Sequence, residues 1–158
     1  NKAPKVVQSM YIFKQPNIGG AVNPHQDGSF LFTKPQSVIG FWWPLDDCKK
    51  ENGCLWAVPR SHKEGVDRIF RRRDPPEKGT EYVFRDGDPE KKYSTDGAVP
   101  LEVAPGTLVL LHSALVHYSA ENTSPLPRHA YSIHCVDNTA EYPSDNWLQR
   151  PTVPFRLM

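Results

Sequence analysis

A mainly β fold of the ligand-holding jelly-roll kind is predicted by three observations. Short apolar or alternating runs recur along the chain, each bounded by turn residues. Sixteen prolines and ten glycines in 158 residues would interrupt any long helix. No heptad pattern or internal repeat offers another architecture. The length is that of about one domain, so residues 1–158 are read as a single unit with a real but modest core.

The elements follow in order. Residues 6–13 alternate, with Gln8, Met10 and Ile12 on one face and Val7, Ser9, Tyr11 and Phe13 on the other, and both faces are expected to be partly covered. Residues 17–24 form a Gly-Gly loop that delivers His25 and Asp27, and residues 38–45 form a second strand ending at Asp46-Asp47. Asn52-Gly53 predicts a type I′ hairpin turn leading into a strand at 54–58. Residues 63–97 are charged and punctuated by Pro75-Pro76, Gly79, Gly87 and Asp96-Gly97, which predicts an irregular insertion or lid. Strands at 101–103, 107–112 and 128–136 complete the fold, the last placing Arg128, Ala130, Ser132 and His134 on one face.

Composition excludes several function classes. Nineteen Lys and Arg against eighteen Asp and Glu leave a net charge of +1, so no global field attracts nucleic acid or a membrane surface. The one basic cluster, Arg71-Arg72-Arg73, lies among Asp67, Asp74 and Glu77 and is read as a solvated loop. Three cysteines without a C-x-x-C spacing suit reduced thiols inside a cell. No apolar run approaches the roughly 18 residues that span a bilayer. The expectation is an intracellular, cytoplasmic monomer acting on a small molecule, with neither nucleic-acid nor membrane partners. A start without Met, running almost at once into a strand, predicts the C-terminal part of a longer protein.

His25 and Asp27 stand at i and i+2, which on an extended segment directs both side chains to one side. H-x-D alone is a weak motif, because a chain with six histidines can supply it by chance. His117, Ser119 and Arg128 strengthen it. Two imidazoles and a carboxylate leave three adjacent positions open on an octahedral Fe(II), enough for an organic chelate and O₂. Neighbouring antiparallel strands would bring His117, Ser119 and Arg128 onto a shared inner face. If 2-oxoglutarate chelates the iron, its distal carboxylate needs a buried cation, and the planar guanidinium of Arg128 fits that need, with Ser119 donating a further bond. His112, on the face of Leu108 and Leu110, is a rival third ligand, and His134 shares a face with Arg128 and could line the pocket.

Gln8-Ser9-Met10-Tyr11-Ile12-Phe13-Lys14-Gln15-Pro16, Pro24-His25-Gln26-Asp27, Glu51-Asn52-Gly53-Cys54-Leu55-Trp56, Ser61-His62, His117-Tyr118-Ser119 and Arg128 together resemble the phytanoyl-CoA dioxygenase family, over nearly the whole chain except 63–97. The resemblance implies a double-stranded β-helix (jelly-roll or cupin-like) oxygenase core using Fe(II), 2-oxoglutarate and O₂. It implies that His25, Asp27 and His117 are the iron ligands, that Arg128 and Ser119 hold the co-substrate's distal carboxylate, and that Met10 and Trp42 line the co-substrate pocket. Two departures stand out: the family's N-terminal helical portion, with a lysine for 2-oxoglutarate, has no counterpart here, and Arg60 stands where similar sequences carry glycine.

The reading is O₂-dependent hydroxylation of an organic substrate with release of succinate and CO₂. Asp27 argues against halogenation, which needs the carboxylate position vacated. A zinc hydrolase would leave Arg128 and Ser119 without a role. A catalytically inactive metal- and 2-oxoglutarate-binding β-barrel, or an inactive fragment, is the alternative.

Overall fold

The computed structural model describes residues 3–75 and 77–158, so Pro76 of the Pro-Pro signal lies outside the described residues. Its strands are β1 (Pro4–Lys14), β2 (Val22–His25), β3 (Ile39–Pro44), β4 (Leu55–Ala57), β5 (Arg68–Arg72), β6 (Thr80–Phe84), β7 (Val99–Leu101), β8 (Val109–His112), β9 (His117–Ser119), β10 (Arg128–Asp137) and β11 (Arg156–Leu157). Among the described residues, helix is confined to one α-turn, α1 (Asp27–Phe30), and a 3-10 turn at Ser61–Glu64.

Two antiparallel sheets form a sandwich. The five-stranded sheet runs β11-β1-β10-β3-β8 and the four-stranded sheet β2-β9-β4-β7. Trp42, Leu111 and Ala130 of the larger sheet pack with Leu55 of the smaller one and with Cys48 and Cys54. Val7, Leu31, Val38 and Val136 form a second buried cluster under α1. Each such aliphatic side chain contributes about 1.5–3 kcal/mol by leaving water.

The long pair β1·β10 sets the pattern. In β10 the residues predicted to face inward, Arg128, Ala130, Ser132 and His134, are buried, while His129, Tyr131 and Ile133 are half-buried. Register then builds lateral rows across the inner face: Met10 opposite Ser132 opposite Trp42, and Gln8 opposite His134 opposite Gly40. In the smaller sheet, His25 pairs with His117 and His117 with Ala57, while Val22 pairs with Ser119 and Ser119 with Leu55.

Four expectations are corrected. Residues 63–97 are not wholly irregular: β5 and β6 form a hairpin in which Phe70 pairs with Tyr82, their rings 4.8 Å apart, and Phe70 also lies near Phe30 and Trp147. The charges there are paired with one another, Arg71 with Glu81 at 3.1 Å, Arg73 with Glu77 at 2.9 Å and Lys91 with Asp67 at 2.6 Å, so the basic cluster begins in a strand and is laced to carboxylates. Asn52-Gly53 is not a type I′ hairpin, because that turn needs positive φ at both residues and only Gly53 has it (φ 81°). It closes a turn in which Gly53 N–H donates to Lys50 O, and this turn carries the chain from one sheet to the other. Finally, the outer face of the larger sheet is open among the described residues, with Phe13 63% and Leu110 59% exposed. No helix among the described residues is long and apolar enough to cross a membrane.

Arg60 sits at φ 68°, ψ −2°, in the left-handed region just before the Ser61–Glu64 turn. Its Cβ is strained there, which accounts for a preference for glycine at this position. Arg60→Gly is therefore expected to raise unfolding free energy by about 1 kcal/mol, as read by urea melts. An unchanged or lower midpoint would contradict this account of the turn.

Lys14, at the end of β1, is nearly fully buried, and its ammonium donates to Gly20 O at 2.6 Å and to Ala120 O. Burial first, and then the Arg128 guanidinium, lower its pKa from 10.5 to about 8. Between those values the unfolded chain holds a proton that the folded chain has lost, so this group's contribution to stability rises with pH across that window. The difference in unfolding free energy between wild type and Lys14→Met is expected to shift in favour of wild type from pH 7 to pH 10. A flat difference would contradict it.

Candidate metal centre

His25 ends β2, His117 opens β9, and their cross-strand pairing sets the two rings 4.3 Å apart. Asp27 is not on the same strand as His25. It is the first residue of α1, so the single extended segment predicted for H-x-D is broken after Gln26. Gln26 is what turns the chain. Its buried amide donates to Ala114 O (2.7 Å) and Gly65 O (2.9 Å) and accepts from Asp67 N–H (2.8 Å), while Gly28 N–H donates to Ser113 O (2.8 Å). Asp27 is thus pinned from both neighbours, and its carboxylate still meets the histidines.

Asp27 Oδ1 lies 3.7 Å from His25 Nε2 and 3.6 Å from His117 Nε2. The three ligand atoms fall within 4.8 Å of one another, close enough for one shared ion at bonds of about 2.1 Å after small side-chain rotations. Tautomers are fixed by the backbone. His25 Nδ1 is 2.8 Å from Asn23 O and His117 Nδ1 is 3.0 Å from Leu115 O. A carbonyl only accepts, so each Nδ1 carries the hydrogen and each Nε2 presents its lone pair to the face shared with Asp27. Burial, and then His117, lower the His25 pKa, which favours the neutral ring that binds metals. For Asp27, burial alone would raise the pKa, but His117, His134 and His25 outweigh it and hold it at about 2.

A cavity of about 270 Å³ between the sheets connects this face to Arg128. Met10, Trp42, Ser119, Ser132 and His134 are among its walls. Arg128 is 1% exposed, donates through Nε to Gly53 O at 3.1 Å and leaves Nη1 without a partner among the described residues. Its guanidinium lies 5.6 Å from the Trp42 ring, and no carboxylate forms an ion pair with it among the described residues. Buried polar atoms normally have partners. Seven lack one among the described residues, and five of these, on Asp27, Trp42, Arg128, Ser132 and His134, belong to walls of this one cavity. The cavity thus presents unpartnered donors and acceptors on its walls, with a positive charge at Arg128.

His25, Asp27 and His117 converge, and Arg128, Ser119, Met10 and Trp42 line the adjoining cavity. Arg128 reaches it from β10 in the opposite sheet, not from a strand beside β9 as expected, because the connection at 120–127 crosses between sheets. His112 is excluded as a ligand: it is exposed on the outer face and lies 5.2 Å from the His62 ring. His134 is in the pocket and closer to the centre than expected, its Nε2 3.2 Å from Asp27 Oδ2.

The sequence profile of the family described as phytanoyl-CoA dioxygenase (PhyH) matches residues 1–130. The chain belongs to the phytanoyl-CoA dioxygenase family. It is 49% identical over 157 residues to phytanoyl-CoA dioxygenase 1 of Oryza sativa subsp. japonica, covering 99% of this chain and 53% of that protein. It is 47% identical over 153 residues to phytanoyl-CoA dioxygenase domain-containing protein 1 of Danio rerio, covering 92% and 50%. The chain spans about half the length of the curated relatives it matches. Among solved structures it resembles EvdO2 from Micromonospora carbonacea var. aurantiaca complexed with 2-oxoglutarate (TM-score 0.63, 23% identity, 90% of this chain and 57% of that one). It also resembles the non-heme α-ketoglutarate-dependent carbocyclase SnoK from nogalamycin biosynthesis (TM-score 0.67, 22% identity, 99% and 62%). These likenesses establish the double-stranded β-helix fold expected from the sequence.

In this family member, Gln26, Gly40 and Ser132 are site-building residues that sequence reading missed. Gln26 was legible in principle, being the middle residue of H-Q-D. Gly40 becomes meaningful only with register: a Cβ there would stand 3.0 Å from Asp27 Oδ2 and 3.3 Å from Leu111 Cβ.

Proposed function

We propose that this phytanoyl-CoA dioxygenase family chain is an Fe(II)- and 2-oxoglutarate-dependent dioxygenase that hydroxylates a small organic substrate. The observation that carries the reading is one cavity with His25, Asp27 and His117 converging at one side and, at the other, a buried guanidinium without a counter-ion among the described residues. His25, Asp27 and His117 hold the iron through two Nε2 lone pairs and one carboxylate oxygen. Arg128 and Ser119 take the distal carboxylate of 2-oxoglutarate, and Trp42 and Met10 wall its carbon chain. When bound, iron with 2-oxoglutarate and O₂ supplies an oxidant strong enough to hydroxylate a C–H bond, with succinate and CO₂ as co-products. The protein's part is to fix orientation, exclude water and keep both histidines in the ligating tautomer.

The alternative reading is binding without turnover, with the same cavity holding metal and 2-oxoglutarate. Incubation with Fe(II), 2-oxoglutarate and O₂ but no substrate separates the two. The dioxygenase reading expects slow succinate release that needs all three components and is lost in His117→Ala. Stoichiometric 2-oxoglutarate binding with no succinate would favour the binding-only reading.

A further inference from the structure

We propose that His134 is a positioning residue that restricts Asp27 to one-oxygen ligation of the metal, an inference that rests on the dioxygenase reading. The two oxygens of Asp27 have different neighbours. Oδ1 is the atom facing both candidate imidazole ligands, at 3.7 and 3.6 Å. Oδ2 has no hydrogen-bond partner among the described residues, and the polar atom it faces is His134 Nε2, 3.2 Å away.

The fold builds this contact from the opposite sheet. His134 is 4% exposed on the inner face of β10, directly across from Gly40 of β3. Glycine at 40 is what leaves the space, since a Cβ would stand 3.0 Å from Asp27 Oδ2 and 3.4 Å from His134 Cδ2. A carboxylate only accepts, so the ring tautomer that suits it carries hydrogen on Nε2. His134 Nδ1 is then left as the bare acceptor, consistent with its having no partner among the described residues.

The chemistry gives this contact a purpose. A carboxylate free to rotate can ligate through both oxygens, as carboxylates do at many metal sites. Asp27 would then occupy one of the three positions that a bidentate co-substrate and O₂ require. With Oδ2 engaged by His134, Asp27 offers Oδ1 alone and three positions stay open. His134 thus controls co-substrate access more than metal capture.

The test uses the full chain, with Mn(II) as a redox-inert metal and calorimetry for metal and 2-oxoglutarate separately, alongside circular-dichroism melts. His134→Leu is expected to bind Mn(II) within about threefold of wild type but to lose 2-oxoglutarate affinity by at least about tenfold, the size of a hydrogen bond to a charged group. Its anaerobic Fe(II)–2-oxoglutarate absorption band should be weakened or shifted. His134→Gln, which keeps an N–H donor, should recover most of the affinity, and Gly40→Ala, which wedges between the two groups, should show the same split as His134→Leu. If His134→Leu does not fold, the His134→Gln and Gly40→Ala results decide. Equal 2-oxoglutarate affinity and an identical band in wild type and a folded His134→Leu would overturn the inference alone, as would equal losses of metal and 2-oxoglutarate. Absence of the band in wild type would overturn the dioxygenase reading, and this inference with it.

Discussion

Arg128→Met is expected to weaken 2-oxoglutarate binding by about 10²–10⁴-fold while leaving the ligand-free chain as stable as wild type or more so. Both effects come from one fact: the guanidinium is 1% exposed, with Nη1 unpartnered and no ion pair of its own among the described residues. Each hydrogen bond to a charged group contributes about 1.5–3 kcal/mol, so two from a planar fork amount to about 3–6 kcal/mol. The guanidinium has already lost its water on folding, which makes a carboxylate guest still more favourable. Without the guest, the same lone cation is a cost, and an unbranched apolar side chain of similar length removes it. Loss of the bond to Gly53 O offsets part of the gain. Arg128→Lys is expected to recover little, because an ammonium cannot make the paired fork. Calorimetric titration with 2-oxoglutarate in the presence of Mn(II), and a thermal melt without ligand, read the two effects. Unchanged 2-oxoglutarate affinity would contradict the role given to Arg128.

Asp27→Ala is expected to reduce metal affinity by more than about 100-fold, since changes to groups merely touching a ligand already cost 10–100-fold. Asp27 is the only carboxylate among the described residues lining the cavity, and its Oδ1 is the atom that both histidines face. Removing it leaves two neutral imidazoles and no negative charge to compensate a divalent ion. Metal-induced stabilisation should vanish in parallel, because a ligand stabilises only by binding the folded state. Melting curves of wild type and Asp27→Ala, with and without Mn(II), read this directly. An undiminished metal-induced shift in the variant would contradict the assignment.

Much of this was legible in the sequence, for physical reasons that differ by residue. Period-2 alternation put Arg128, Ala130, Ser132 and His134 on one face of β10, and the structure agrees. The spacing of His25, Asp27, His117, Ser119 and Arg128 pointed to one pocket, and all five line it. What alternation does not contain is which strands pair. Ser119 and Arg128 are close in the chain, yet they belong to opposite sheets and meet across the sandwich. Likewise His112 stood as a rival ligand on the face of Leu108 and Leu110, but that face is the exposed one. The hairpin of β5 and β6 was hidden by its charges, which are satisfied across strands, as between Arg71 and Glu81, and so need no irregular loop to reach water. Gly40 carried no signal until register showed what it touches, and Gln26, in view within H-Q-D, gave no hint of the backbone groups it holds.

The most direct test of the central claim is an anaerobic titration of the chain with Fe(II) and 2-oxoglutarate, following visible absorption. Iron held by His25, Asp27 and His117, with 2-oxoglutarate chelated beside it and anchored on Arg128, is expected to give a charge-transfer band that saturates at one equivalent of each. No band in the wild type, or an unaltered band in Asp27→Ala, would contradict it.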